Sequence, residues 1–337
     1  MPKFLDFESF AADEQYLNEL KATKDSSDTN TEEKEALQSW INSVESRVTD
    51  IIKDIYEKKL TPFQAIQVAR HIERPSTLDY IKILCGEDFF ELHGDREFGD
   101  DKAIVGGIGK IGEYSLMLIG HQKGHDTEEN INRNFGMAHP EGYRKALRLM
   151  KMAEHFKLPI ITFIDTPGAF PGIGAEERGQ SNAIAESLAE MSEIRVPIIC
   201  FVTGEGGSGG ALALGLGDRV YMFEYSVYSV ISAEGCAAIL WNDSSKVEIA
   251  ADSLKLRAKD LLEAGIIDGI LPEPLGAAHR NYEAVAEEIR KCIFKELPCL
   301  NQNSADELII QRYKKFRGMG KYTTIQGELD AESEGKN

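Results

Sequence analysis

The chain has 337 residues, 42% of them hydrophobic, which supports one large or two ordinary domains around a substantial core and excludes a disordered protein. With 38 Lys and Arg against 56 Asp and Glu, the formal charge is −18. That field argues against nonspecific binding to nucleic acid or anionic membranes, while leaving room for a small anion in a locally basic cleft.

No run reaches the roughly 20 apolar residues of a membrane span. The start "MPKFLDFESF" lacks the basic and then apolar pattern of a secretory signal, so a cytoplasmic location is the expectation. Cys85, Cys200, Cys236, Cys292 and Cys299 form no CxxC pair, and neither a disulfide framework nor a zinc ribbon is written in the chain.

Residues 1–37 read as an acidic N-terminal tail, with "KATKDSSDTN" as a linker. Trp40, Ile41, Val44, Val48, Ile51, Ile52 and Ile55 then recur at helical spacing. "TPFQAIQVARH" follows, with Thr61 as a cap, Pro62 in the first turn and Gln64 in capping-box register. "PSTLDYIKILCG" has Ser76 before its first turn and Gly86 at its stop. Residues 38–86 therefore predict a helical packing or docking segment ahead of a main body over 87–297.

The body opens on a hairpin, "AIVGGIGKI" and "SLMLIGH" around "GEY". His121 and His125 are four apart, but Gly120, Gly124 and the absence of HExxH argue against a shared zinc. A unit of helix, apolar strand and glycine loop then occurs twice, with Pro159 and Pro197 opening the two strands. This spacing predicts adjacent parallel strands, with ligands collecting at their carboxyl ends. The loops "DTPGAFPGIG" and "TGEGGSGGALALGLGD" thus belong to one candidate site.

The second loop admits several chemistries. GxGxxG (Gly204, Gly206, Gly209), with Glu224 at ribose distance, suggests a dinucleotide site, but it lies late in the body. "DTPG" matches a nucleotide switch, yet no GxxxxGK[ST] accompanies it. GxSxG (Gly206, Ser208, Gly210), with Asp268 and His279 following in order, makes a serine hydrolase or thioesterase the rival reading. The remaining reading uses backbone: Gly209 and Gly210 open a helix and present amides to a developing oxyanion, with Gly206 and Gly207 shaping the turn.

"GDREFGDDKAIVGGIG", "GHQKG", "RNFGM", "PEGYRKALRLMKMAE", "LPIITFIDTPGAFPGIGAEERGQ", "GEGGSGGALALG", "YSVYSVISAEGCAAILW" and "PEPLGAAHRN" together resemble the alpha-subunit family of bacterial multisubunit acetyl-CoA carboxylase carboxyltransferases. The resemblance runs from about residue 38 to about 297, and "FLDFE" shares it. It implies an α/β fold, a crotonase (ClpP)-like ββα superhelix with an α-helical N-terminal segment. The implied activity moves a carboxyl group from carboxybiotin, on a biotin carrier protein, to acetyl-CoA, giving malonyl-CoA for fatty-acid synthesis. A separate biotin carboxylase uses the ATP, and a beta subunit, in an alpha2beta2 heterotetramer, carries the zinc ribbon, leaving no metal in this chain.

The same resemblance implies that the alpha chain holds the ureido oxygen of biotin and the beta chain the thioester enolate. The freed ureido nitrogen then serves as the base for the acetyl-CoA methyl proton, so no side-chain base is needed. On this basis Gly209 and Gly210 are the candidates for the ureido oxygen, Gly206 and Gly207 set the turn, and Gly168 and Ala169 supply an opposing amide. Arg133, Arg144, Lys145 and Arg148 are candidates for the CoA phosphates, against the alternative of a solvated helix face. His93, Asp95 and Arg96 are expected in the cleft wall, Glu176, Glu177 and Arg178 at a helix start, and Cys236 buried in the Ser232–Trp241 stretch. Residues 298–337 are expected to form a helix, capped by Ser304 and Glu307 and ending near Gly318, and then a disordered tail.

Overall fold

The apolar runs behind Pro159 and Pro197 become the adjacent central strands of an eight-stranded sheet in the computed structural model, which describes residues 5, 7–26 and 31–320. In chain order the strands are β1 (Phe89–Glu91), β2 (Ile104–Ile111), β3 (Tyr114–His121), β4 (Ile160–Thr166), β5 (Ile198–Gly207), β6 (Arg219–Phe223), β7 (Val227–Ser229) and β8 (Gly269–Leu271). The sheet order is β1-β2-β3-β4-β5-β6-β8, with β7 also pairing β5. The β1/β2 and β2/β3 pairs are antiparallel, and every pairing from β3 onward is parallel.

The helices are α1 (Ala11–Ser26), α2 (Thr31–Lys53), α3 (Pro62–Ala69), α4 (Thr77–Cys85), α5 (Thr127–Asn132), α6 (Pro140–Phe156), α7 (Ile173–Glu177) and α8 (Gln180–Glu193). They continue as α9 (Ser208–Leu212), α10 (Ala233–Trp241), α11 (Val247–Leu254), α12 (Ala258–Glu263), α13 (Tyr282–Leu300) and α14 (Ala305–Arg317). Alternation along β4 sends Ile160 and Ile164 to one face, against Tyr143, Leu149 and Met150 of α6 and Met191 of α8. Ile161 and Phe163 point to the other, against Tyr80 and Leu84 of α4 and Ile289 and Ile293 of α13. A sheet covered on both faces needs apolar residues at every position, which is why β4 and β5 read as unbroken hydrophobic runs.

The caps form as their residues dictate. Thr61 and Gln64 close a capping box on α3, Ser76 and Asp79 do so on α4, and Ser304 and Glu307 on α14.

The N-terminal expectation is corrected. The stretch read as tail and linker is helical through Ser26, and the boundary placed at residue 38 falls inside α2. Phe10 and Leu17 are buried against Ile41, Val44, Val48 and Ile52 of α2, forming a helical hairpin whose polar outer face masks its apolar inner stripe. Trp40, counted with that stripe, is 50% exposed. The expected C-terminal disorder lies outside the described residues.

The last helix is anchored by charge. Arg312 of α14 is 1% exposed, binds both carboxylate oxygens of Asp218 at 2.9 Å, and donates to the carbonyls of Met191, Ile194 and Val196. Asp218 in turn accepts the Ile198 amide at 2.8 Å, at the start of β5. Arg312→Met strands a buried carboxylate and three carbonyls, and is expected to lower unfolding free energy by about 3–5 kcal/mol, measured by urea denaturation.

A second prediction concerns pH. His125 Nε2 lies 2.7 Å from Asp79 in the α4 capping box, and Nδ1 lies 3.0 Å from the Ile72 carbonyl. The Asp79 contact raises the His125 pKa to about 9. A folded pKa above the unfolded one gives stability that is complete below the ordinary histidine value and lost as pH rises through the folded value. The melting-temperature difference between the native chain and His125→Asn should therefore shrink between pH about 7 and about 10.

Candidate active site

The two glycine loops leave neighbouring strand ends, with Thr166 of β4 in register with Gly206 of β5. They touch through bare backbone. A β-carbon on Gly207 would sit 2.1 Å from the Pro167 carbonyl oxygen, and one on Gly210 would sit 2.7 Å from the Ala169 nitrogen and 2.9 Å from the Tyr143 hydroxyl. Gly206 is pressed by the Tyr228 ring and Gly204 by the Asp165 carboxylate.

Gly209 and Gly168 differ from these. A β-carbon on Gly209 would meet nothing nearer than Ile184 at 3.6 Å, and one on Gly168, at φ +152°, nothing within 4 Å. The glycines thus divide into a seam (Gly207, Gly210) and an open face (Gly168, Gly209).

Donors are available on that face. The N-cap of α9, Gly207, supplies no side-chain cap, so the amides of the first turn keep their free valence. Gly168 N–H donates to Thr166 Oγ1 at 3.1 Å, whereas Ala169 N–H has no hydrogen-bond partner among the described residues. Of the two amides expected from this loop, Ala169 is the one at liberty.

Beside the loops runs a charge network that sequence reasoning missed. Asp165 accepts from Lys123 at 2.7 Å and from the Glu205 amide at 2.9 Å. Glu205 accepts from Arg70 at 2.5 Å, and Arg70 also reaches Glu234 of α10 at 2.7 Å. Deeper still, Arg74 joins the Thr203 carbonyl at 2.6 Å to Glu273 at 2.7 Å. Arg70, Lys123, Phe135, Asp165 and Pro167 line a cavity of about 800 Å³ at this end of the sheet. Lys123 arrives because β3 runs parallel to β4 and ends at the same edge. Its signal in the sequence was the "GHQKG" directly after a strand.

The four basic candidates for the CoA phosphates lie elsewhere, on and before α6. Lys145 is 1% exposed and holds Asp100 at 2.6 Å and the Asp101 carbonyl at 2.7 Å. Arg144 binds Asp95, Arg148 the carbonyls of Gly94 and His93, and Arg133 that of Lys102. Within the chain the four cations fasten the segment around residues 93–102.

The hydrolase geometry is absent. Ser208 is exposed at φ +50°. Asp268 accepts from Val220 N–H and Lys315, while His279 stacks on His71 at 3.9 Å, its pKa pushed down to about 2 by burial. Among the described residues neither contacts Ser208.

His121 and His125 do not pair either. His125 serves Asp79, and His121 is wholly buried, its pKa lowered by that burial to about 4. Asp101, His139 and Glu141 do bring ligand atoms within 4.8 Å of one another. Glu141, however, is paired with Arg178 at 2.9 Å, and Asp101 accepts the amides of Ala103 and His139. Glu141 is thus paired with a cation and both Asp101 oxygens are occupied by amides.

Residues 4–320 match the family model described as acetyl co-enzyme A carboxylase carboxyltransferase-like. The chain is 59% identical over 273 residues to the acetyl-coenzyme A carboxylase carboxyl transferase subunit alpha of Geobacter sulfurreducens, covering 81% of this chain and 85% of that protein. It is 55% identical over 309 residues to the subunit of the same name from Listeria monocytogenes, covering 92% and 95%.

Among solved structures, a Pseudomonas malonate decarboxylase hetero-tetramer in complex with coenzyme A is similar with TM-score 0.56 at 18% identity, over 71% of this chain and 92% of that one. The P. aeruginosa geranyl-CoA carboxylase beta subunit is similar with TM-score 0.54 at 16% identity, over 79% and 51%. These likenesses establish the crotonase-like fold. The backbone-lined cleft, that fold and the family match over residues 4–320 agree, and the chain belongs to the acetyl co-enzyme A carboxylase carboxyltransferase-like family.

Proposed function

We propose that this chain is the alpha half of an acetyl-CoA carboxyltransferase and that it binds the ureido oxygen of carboxybiotin with backbone amides. The observation that carries the site is the open face at Gly168 and Gly209, next to the Ala169 amide, at the ends of two adjacent parallel strands. An oxygen can approach there without meeting a β-carbon, and an uncapped helix start and the unpartnered Ala169 amide point donors at developing negative charge.

Gly209 leads this assignment, with Ala169 opposing it. Gly207 and Gly210 hold the two loops in contact, Gly206 accommodates Tyr228, and Gly168 supplies the bend. Carboxybiotin, delivered on a biotin carrier protein and charged by an ATP-using biotin carboxylase, supplies the carboxyl group and a basic ureido nitrogen. The chain's own residues exclude side chains from the cleft and fix the direction of its amides, a contribution of placement and electrostatics.

A zinc-bearing beta subunit in an alpha2beta2 assembly holds the thioester enolate of acetyl-CoA with its own amides. Support for a partner comes from apolar side chains left outward: Ile173 of α7 is 80% exposed, Val230 77%, and Ile239 and Leu240 of α10 73% and 67%. No helix of the described residues is long and apolar enough to cross a membrane.

The test is carboxyl transfer run in reverse, from malonyl-CoA to a free biotin derivative, with the chain alone and with a beta subunit. Activity should appear only in the complex and survive Ser208→Ala. Gly209→Val, which fits the fold but covers the open face, should lower kcat about 100-fold with an unchanged melting temperature. Gly210→Ala should lower activity and melting temperature together, because its β-carbon meets backbone. Thioester hydrolysis by the lone chain, abolished by Ser208→Ala, would overturn the reading.

A further inference from the structure

Two arginines stand together without an acid. Arg148 of α6 donates from Nε to the Gly94 carbonyl at 3.0 Å and from Nη2 to the His93 carbonyl at 3.2 Å. Arg96 Nη1 donates to that same His93 oxygen at 3.0 Å. Among the described residues these are their hydrogen bonds, and neither guanidinium forms an ion pair there. Their neighbours differ: Arg144 is paired with Asp95 at 2.7 Å and Lys145 with Asp100 at 2.6 Å. A guanidinium carries a fork of N–H donors, of which Arg96 uses one and Arg148 two, so most of both forks is unspent.

The loop that presents Arg96 is fixed in advance. Asp95 is buried, and its Oδ1 accepts the amides of Glu97, Phe98 and Gly99 at 2.9, 2.9 and 3.0 Å. Its Oδ2 is taken by Arg144, while Asp100 accepts from Lys145 and the Gly94 amide and meets His93 Nδ1 at 3.1 Å. The two nearby acids are thus committed to building the loop. Arg96 itself is exposed and stands at φ +73°, in the left-handed region where glycine would sit without strain. A β-carbon on Gly94 would lie 3.2 Å from Arg96 Nη1, so that bare glycine leaves room for the guanidinium to reach back to the His93 carbonyl.

Burial and then the Arg96 charge push the Arg148 pKa below its ordinary value, even with Asp100 and Asp95 close by. Like charges drawn to one oxygen repel each other, and an anion between them removes that repulsion. A carboxylate would balance one of the two. A phosphate monoester dianion balances both and offers several strong acceptors to paired arginine forks. In a chain of formal charge −18 this pair is a local reversal of the average field.

We propose that Arg96 and Arg148 form a binding site for the dianion of a phosphate monoester, held between their two guanidinium forks. Coenzyme A carries such a group on its ribose, and inorganic phosphate or a small phosphorylated metabolite offers the same chemistry. The inference uses no residue of the glycine loops, so it stands or falls separately from the oxyanion reading.

The experiment titrates inorganic phosphate, against chloride at matched ionic strength, into the full-length chain and reads binding by calorimetry and thermal unfolding. The native chain should bind phosphate and melt higher in it. Arg148→Gln should weaken binding about tenfold or more. Arg96→Gly should weaken it as much while leaving the melting temperature in chloride equal or higher, because the substitution removes a guanidinium and relieves a left-handed side chain. A second arm compares coenzyme A with dephospho-coenzyme A, which lacks the ribose phosphate, on the complex with the beta subunit. A preference for coenzyme A that Arg96→Gly abolishes assigns the site to the coenzyme; an unchanged preference beside lost phosphate binding assigns it to a free phosphate. Phosphate binding retained in both variants overturns the inference. So does a native chain that responds to phosphate no more than to chloride, with a coenzyme preference that Arg96→Gly leaves intact.

Discussion

Everything at this site depends on two loops meeting through backbone. The distance between the ends of β4 and β5 is set by the sheet, at the ordinary spacing of paired parallel strands. A loop from each can touch the other across that gap only if neither carries a side chain at the contact. Gly207 against Pro167 and Gly210 against Gly168 and Ala169 meet that condition, since a β-carbon at either glycine would fall well inside contact distance. The cleft follows from this contact, because at the residues next in line, Gly168 and Gly209, a β-carbon would meet open space or only Ile184 at 3.6 Å.

The charge network has a complementary task. Asp165 and Glu205 are both buried acids on the strand ends that carry the loops, and leaving either unpaired would be strongly destabilising. Lys123 pairs with Asp165, Arg70 with Glu205, and Arg74 donates to the Thr203 carbonyl of the same strand, so the strand ends are tied to β3, to the end of α3 and to the turn before α4 at once. Arg70 extends the tie to Glu234 in the first turn of α10. An acidic chain thus concentrates cations where its own carboxylates are buried, and the overall charge of −18 gives no hint of it.

Local rules were legible in the sequence because they are local. The capping boxes at Thr61, Ser76 and Ser304, the hairpin around Gly112 and the parallel pair behind Pro159 and Pro197 each depend on a few neighbouring residues. The errors came from pairings distant in sequence. Residues 11–26 read as tail because α1 has few apolar positions, and its place is secured by α2 and by Arg280 binding Glu14 from 266 residues away. Arg144, Lys145 and Arg148 read as a basic helix face because nothing local shows that the segment 93–101 folds over them. For the candidate site, the glycine loops were visible as composition. Which glycines form the seam and which the open face was not, since that depends on what each absent β-carbon would strike.

This division changes what the glycine-rich stretch means chemically. Glycine-rich loops are read as flexible, and a flexible loop is a poor oxyanion site because its donors must be ordered at the moment of reaction. Here the seam glycines act in the opposite sense. By permitting backbone-to-backbone contact they let Pro167, Ala169 and the first turn of α9 brace one another, with Thr166 Oγ1 holding Gly168 and a filled core behind. The conformational freedom that glycine brings to the unfolded chain is removed on folding by packing that only glycine permits. The cleft is consequently rigid where it must direct amides and bare where it must admit an oxygen, and five glycines within Gly204–Gly210 serve both needs.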